Sequence, residues 1–504
     1  MSVLLSALWL TPRSLAQTAS PTLHPGHAAW APHRTAPQPT LPVLMLSDIH
    51  LEVFHDPAKL PQLVAAPAAQ WQHILDEPDS ADEAAQFAAL RKTCPSRGPD
   101  ATPALLDAAL EAAHAQSPHP LFITVSGDLM AHAFECSYRA LRPKDSAAAY
   151  SAFAAKTVEY VTLALHRTWP TTAIYVTLGN NDTSCGDYAE SPHSTFLAAD
   201  ARSLRVDVRS PQARRALAQS FSDQGDYSVL LPAPMRRARL ILLQDVFEAR
   251  SWKPCADLKL PAGDDPAAMQ IAWLRAQLTA ARAHHEQVWV MGHIPPEVDL
   301  YTTFRKSPDF CGGTKAATMF LSGDALRQTL TEFGDVIRLA LFAHTHNDEM
   351  HLLHAQPLTT GSVHGGEVAM KLVPSISPIN GNVPAFTVAW VDPRTAVMED
   401  YAVYTAGAYP ADPLHATWPT RWTEEYRFST TYGVKGFTPQ TLAPLLRTMV
   451  ADRSVSDPST LKAEQFYMPG GPPTLLRLIG PAFACALTEQ SPEAFRSCAC
   501  GDAK

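Results

Sequence analysis

The sequence has no block of lysine and arginine, only 18% of its 504 residues are charged, and the formal net charge is -9. A protein that grips the phosphate backbone of a nucleic-acid duplex needs a basic stripe, so that partner is excluded. No internal apolar run reaches the roughly 18 residues that a membrane-spanning helix requires. There is no CxxC pair, which removes the common zinc-ribbon frameworks. There is no GxxxxGK[ST] either, which removes P-loop phosphate chemistry. No internal repeat is evident.

Apolar residues are plentiful, at 46% of the chain, and the length suggests about two to four domains. The 44 prolines point to a loop-rich globular enzyme rather than a disordered chain. Residues 1–40 read as a leader. An apolar stretch from Val3 to Leu10 is followed by Ser14-Leu15-Ala16, a small-x-small cleavage pattern, and then by a Pro-, Ala- and Thr-rich linker. No basic residue precedes the stretch and Arg13 separates it from the cleavage pattern, so as a signal peptide it is weak. The eight cysteines are scattered and even in number. Both features favour a secreted or periplasmic chain with disulfides, and the expected pairs are Cys255–Cys311 and Cys485 with Cys498 or Cys500. The alternative is a cytoplasmic chain with buried thiols.

Short β-branched runs predict strands at residues 43–47, 121–126, 173–178, 238–244, 287–291 and 337–342. Helices are expected over Ala104–Ala115, Ser146–Thr168 and Ala267–His284; in the second, Tyr150, Phe153, Thr157, Val161 and Leu165 share one face. This alternation implies a layered α/β core over residues 41–410. "AFTVAWVDP" and "MEDYAVYTAG" read as two further, paired strands. From about Trp418 the chain reads as helical, so residues 411–504 are expected to form a small C-terminal helical region, with a break at "PGGPP" (469–473).

Polar residues recur where the core strands end. "VLMLSDIH" ends in Asp48 and His50, and "LFITVSGDLMAH" carries Asp128 and His132. "AIYVTLGNND" carries Asn180, "QVWVMGHIPP" carries His293, and "IRLALFAHTHND" carries His344 and His346. Loops at the carboxyl ends of strands form the ligand crevice of an open α/β sheet. Imidazole and carboxylate together suit zinc, iron or a similar metal. Asp128 could bridge two cations, which would clamp a phosphoryl oxygen and acidify a water between them. Singly, each residue is more often a turn, cap or core residue than a ligand. His55 and His354 lack the strand-end framing and read as ordinary surface or core histidines.

D-x-H, G-D, G-N-x-D, G-H and H-x-H in this order resemble the calcineurin-like metallophosphoesterases. "GDLMAH", "MGHIPP" and "AHTHNDEM" narrow the resemblance to the acid sphingomyelinase-like phosphodiesterases. "VPSISPINGNVPAFTVAWVD" and "WTEEYRFSTTYGV" extend it over roughly residues 42 to 470. The resemblance implies a four-layer α/β/β/α sandwich with a dinuclear site, zinc first, manganese or iron as alternatives. One metal would take Asp48, His50, Asp128 and His346; the other would take Asp128, Asn180, His293 and His344. His132 would lie near the substrate phosphate, and a hydroxide between the metals would cleave a phosphodiester. The substrate would be a small phosphate ester or a phospholipid headgroup; the oligomeric state is left open. Activity on monoesters or polyphosphate, or metal binding with little catalysis, are the alternatives.

The chain departs from the pattern. No saposin domain like that of the full sphingomyelinases is expected before Asp48, and Ala343 replaces a glycine. Asn181 stands where most relatives have a catalytic histidine, and an amide cannot act as a general acid near neutral pH. His132 is the expected substitute.

Overall fold

Twelve short strands among the described residues carry the fold, and the apolar runs of the sequence fall on them. The computed structural model describes residues 39–204, 211–256, 265–355, 366–470, 479–480 and 482–501. The expected leader up to residue 38 and residues 471–473 of "PGGPP" lie outside the described residues. The strands are β1 (Leu41–Leu46), β2 (Phe122–Ser126), β3 (Ala173–Thr177), β4 (Tyr227–Leu230), β5 (Ala238–Leu242), β6 (Gln287–Met291), β7 (Ile337–Phe342), β8 (Glu349–Leu353), β9 (Val368–Leu372), β10 (Ala385–Val391), β11 (Met398–Thr405) and β12 (Thr423–Arg427).

They form two six-stranded sheets, ordered β12-β11-β10-β1-β2-β3 and β4-β5-β6-β7-β9-β8. β1, β2 and β3 run parallel, as do β5, β6, β7 and β9, and the remaining pairs are antiparallel. β10 and β11 pair as expected, Val388 opposite Ala402.

Side-chain alternation along the second sheet shows what lies on each face. Leu240, Leu242, Trp289, Met291, Leu339 and Leu341 join one apolar cluster with Val43, Met45 and Phe122 of the first sheet. Their neighbours Ile241, Val288, Val290, Ala340 and Phe342 join another, with Leu274 and Leu278 of the helix Pro266–Ala283 and Leu326 and Leu330 of the helix Ala325–Glu332. A period of two thus sends alternate residues to the other sheet and to a helical layer. The Trp289 and Phe122 rings meet at 5.6 Å, and the Tyr227 hydroxyl donates to Val176 O across the sheets. The helices Pro103–Gln116 and Ala147–Thr168 add their apolar residues to the first cluster.

Two expectations are corrected. Residues 423–427 are an edge strand against β11, not a helix. Two glutamates favour helix locally, but pairing with β11 and burial of Tyr426, stacked on Phe466 at 4.4 Å, outweigh a weak propensity. Downstream the helices Pro439–Ala451, Pro458–Tyr467 and Pro492–Cys500 do form. The disulfides are Cys94–Cys136, Cys185–Cys255, Cys311–Cys500 and Cys485–Cys498. The expected Cys255–Cys311 pair is therefore wrong, and of the two partners offered for Cys485 the structure has Cys498. Cys255 meets Cys185 because Ala189 and Lys253 bridge the two loops; sequence spacing carries no trace of that contact.

Candidate metal centre

Parallel pairing sets the carboxyl ends of β1, β2 and β3 along one edge of the first sheet, and those of β6 and β7 along one edge of the second. The two edges are tied together: Thr177 Oγ1 donates to Leu243 O at 2.6 Å, and His293 Nδ1 to Ser126 O at 2.7 Å. All seven expected ligands gather here.

One group holds Asp48, His50, Asp128 and His346. His50 Nε2 lies 3.2 Å from His346 Nε2, 3.4 Å from Asp128 Oδ2 and 3.8 Å from Asp48 Oδ1; His346 Nε2 lies 3.5 Å from Asp48 Oδ1. The other group holds Asp128, His293, Asn180 and His344. His293 Nε2 is 3.2 Å from Asp128 Oδ2 and 3.1 Å from Asn180 Oδ1, and the His344 ring is 5.2 Å from the His293 ring. One oxygen, Asp128 Oδ2, faces both groups.

The backbone here is unusual. Asp48, His50, Asp128, His344 and His346 all have positive φ, between 44° and 70°. Left-handed backbone at non-glycine residues costs on the order of 1 kcal/mol or more each, and it clusters where function requires it. Sharp bends at the strand ends let two residues of a D-x-H or H-x-H turn to one point. The glycines before Asp128 and Asn180 leave room for the bends. A Cβ on Gly179 would stand 2.1 Å from Asp128 Oδ1 and 2.5 Å from the Asp128 backbone N, and one on Gly127 would stand 2.8 Å from His293 Nδ1.

Neighbours hold the groups in place. His50 Nδ1 donates to Met130 O at 2.9 Å, so that Nε2 faces the site. Asn180 Nδ2 donates to Asp187 Oδ1 at 2.8 Å, which turns its carbonyl oxygen toward His293. Asn181 donates to both oxygens of Asp128, from N to Oδ1 at 2.8 Å and from Nδ2 to Oδ2 at 2.9 Å. Asp182 fixes the loop by accepting from the backbone N of Gly179, Leu129 and Met130. Asp245 accepts from the backbone N of His293 and Ile294, and the Tyr188 hydroxyl lies 3.1 Å from His344 Nε2.

The electrostatics describe a site built around positive charge. Burial pulls the His50 pKa down, but the negative charges of Asp128, Asp48 and Asp100 outweigh it and hold it at about 9. His293 is held at about 10 against burial, chiefly by Asp128. Burial raises the Asp128 pKa, but His293 and His50 bring it well below the usual carboxylate range. His344, pushed down to about 3, and His346, well below the usual range, lose their protons to burial and then to the neighbouring cationic imidazoles. Among the described residues, both oxygens of the fully buried Asp48, and Nδ1 of His346, have no hydrogen-bond partner. Atoms bound to one tetrahedral ion at ~2.1 Å stand ~3.4 Å apart, close to the separations found here. Protons on His50 and His293 balance two buried carboxylates; cations would take their place. The residues fit a pair of metal ions.

His132 stands at the open side. Its ring stacks on His50 at 4.0 Å, its Nδ1 lies 3.0 Å from Asp100 Oδ1, and its side chain is 31% exposed. Sequence reasoning missed Asp100, Asp187, Tyr188 and Asp245. Asp245 directly follows the predicted strand 238–244, but in no recognisable motif, and it comes nearest to a signal; Asp187 and Tyr188 lie a few residues past Asn180.

No protein-family model matches the chain. The human acid sphingomyelinase-like phosphodiesterase 3b is 26% identical over 433 residues, covering 80% of this chain and 83% of that protein. Its mouse counterpart is 24% identical, covering 84% and 81%. The chain is similar to the acid sphingomyelinase-like phosphodiesterases over most of its length. Sphingomyelinase phosphodiesterase D of Dictyostelium discoideum is also similar, 24% identical over 295 residues, covering 58% of this chain and 60% of that one. Among solved structures, a dimetal phosphatase from Danio rerio covers 73% of this chain and 96% of its own at 11% identity and a TM-score of 0.38, too distant to carry weight.

Proposed function

We propose that the protein is a phosphoric ester hydrolase that cleaves a small phosphodiester, soluble or a phospholipid headgroup, at a centre of two divalent cations, zinc before manganese or iron. The observation that carries this reading is the sharing of Asp128 between two groups of histidines on the facing edges of two sheets. The similarity to phosphodiesterases over four fifths of the chain supports it. Asp48, His50, Asp128 and His346 would hold one ion; Asp128, Asn180, His293 and His344 would hold the other. Four imidazoles favour zinc among the candidates. Bound there, the ions would polarise a phosphoryl oxygen and make a neighbouring water acidic.

The chain's own residues do the rest. Asp100 accepts from Nδ1 of His132, which leaves Nε2 to carry the proton for the leaving group. Asn181 cannot supply that proton; its two hydrogen bonds orient the shared carboxylate instead. With four disulfides among the described residues, export to an oxidising compartment fits the chain. Among the described residues no helix is long and apolar enough to cross a membrane.

The test is turnover of bis(p-nitrophenyl) phosphate against p-nitrophenyl phosphate by zinc- or manganese-loaded protein, with metal content measured in parallel. Faster cleavage of the diester, and loss of both activity and metal in Asp128→Asn, are expected. Preference for the monoester would make the protein a phosphomonoesterase. Full metal content in Asp128→Asn would remove the bridging carboxylate from the scheme.

A further inference from the structure

A second histidine cluster lies apart from the candidate centre and shares no residue with it. His55 follows β1, Glu83 begins the helix Glu83–Thr93, and His415 lies in the connection between β11 and β12. His415 Nε2 is 3.1 Å from Glu83 Oε2, His55 Nδ1 is 3.6 Å from Glu83 Oε1, and the imidazole centroids are 5.7 Å apart. His55 and Glu83 are both buried, and among the described residues His55 Nδ1 and Glu83 Oε1 have no hydrogen-bond partner. Unpaired buried polar atoms are costly, and one ion ligated by both would satisfy the two that face each other across 3.6 Å.

We propose that His55, Glu83 and His415 bind a divalent cation, zinc by ligand type, which clips the β11–β12 connection to the segment after β1. Two imidazoles and a carboxylate are a zinc set, and 3.1–3.6 Å is close to the ~3.4 Å separation of atoms on one tetrahedral ion. Each histidine also has a carboxylate at its far nitrogen: His415 Nδ1 is 2.8 Å from Asp412 Oδ2, and His55 Nε2 is 3.6 Å from Asp79 Oδ2. Such outer carboxylates fix the tautomer and turn the other nitrogen to a metal. The local charge matches as well. Glu83, Asp79 and Asp412 carry three negative charges and Lys59, 2.9 Å from Asp79 Oδ1, carries one positive charge, so with neutral imidazoles a doubly charged cation balances the site. His415, with a side chain 45% exposed, gives the ion a path to solvent.

The site is tested by counting zinc in the full-length protein after loading and desalting. His415→Gln should hold one zinc per chain fewer than the wild type, while Asp128→Asn should keep that ion. This difference reads the new site whether or not the Asp128 centre takes metal, so failure of one reading is distinguishable from failure of the other. Equal zinc in the wild type and His415→Gln overturns the proposal. Asp412→Ala, on an exposed side chain, guards against misfolding of the first variant. Its extra ion should be stripped by about 10–100-fold less chelator than in the wild type, and equal resistance overturns the proposal.

Discussion

Asp100 and His132 act as a pair. The Asp100 carboxylate is buried and would be raised by burial alone, but His132, by its charge and its hydrogen bonds, brings its pKa below the ordinary range. Ser377 Oγ donates to Asp100 Oδ1 at 2.9 Å, and His132 N to Oδ2 at 2.8 Å, so the carboxylate is held before it holds the imidazole. His132→Ala should lower kcat by about 10²–10⁴. Asp100→Asn should lower it less, about 10–100-fold, with metal content unchanged. The double variant should be no slower than His132→Ala alone, because the aspartate acts only through the histidine. Multiplied losses would show that the two act separately. The candidate ligands were legible in the sequence because each ends an apolar strand. Asp100 was not, because it arrives from the loop "SRGPDATP", where a proline and a glycine disguise it as a turn residue. Asn181 was legible only as a departure; its grip on both oxygens of Asp128 needs the fold.

Strand ends make the site, so their backbone is where it is most easily broken. Gly179 sits where the β3 chain passes the Asp128 backbone, and an added Cβ would meet main-chain atoms that cannot rotate away. Gly179→Ala should cost about 1–3 kcal/mol, the ordinary cost of overpacking. It should also lower metal occupancy, since displacing Asp128 disturbs both ligand groups. The checks are the unfolding free energy from denaturant titration and bound metal; a stability within about 0.5 kcal/mol of wild type, as for an ordinary surface change, would show that the crossing is looser. Strands buried on both faces were readable because length and β-branching alone identify them. β12 was not, because its five residues owe their conformation to β11. Three of the four disulfide partnerships were likewise unreadable. Cys311 and Cys500, 189 positions apart in sequence, are brought together by the fold: Arg496 donates to Phe310 O, and Phe495 packs on Phe310.

Across the whole molecule, buried carboxyl groups outside the candidate centre hold their protons unusually well. Burial raises Glu190 and Glu425 to about 7, and burial with the like charge of Asp245 raises Glu248 to about 8. In the unfolded chain each would titrate near 4.5. Between that value and the folded one, the native state binds more protons than the unfolded state. Stability is therefore fully present below about pH 4.5 as far as these groups are concerned, and is lost as pH rises through 7 to 8. Each group contributes about 1.4 kcal/mol per pH unit while the two states differ by one proton. Metal binding runs the other way, because imidazoles must shed protons to ligate, so the measurement belongs in chelator. The urea midpoint there should be higher at pH 5.5 than at pH 8. Glu248→Gln removes one titrating group without changing shape, and its midpoint should fall less between the two pH values than that of the wild type. An unchanged pH dependence in Glu248→Gln would mean that Glu248 ionises with the unfolded chain's affinity, and that the buried acids are not what makes the fold favour acidic conditions.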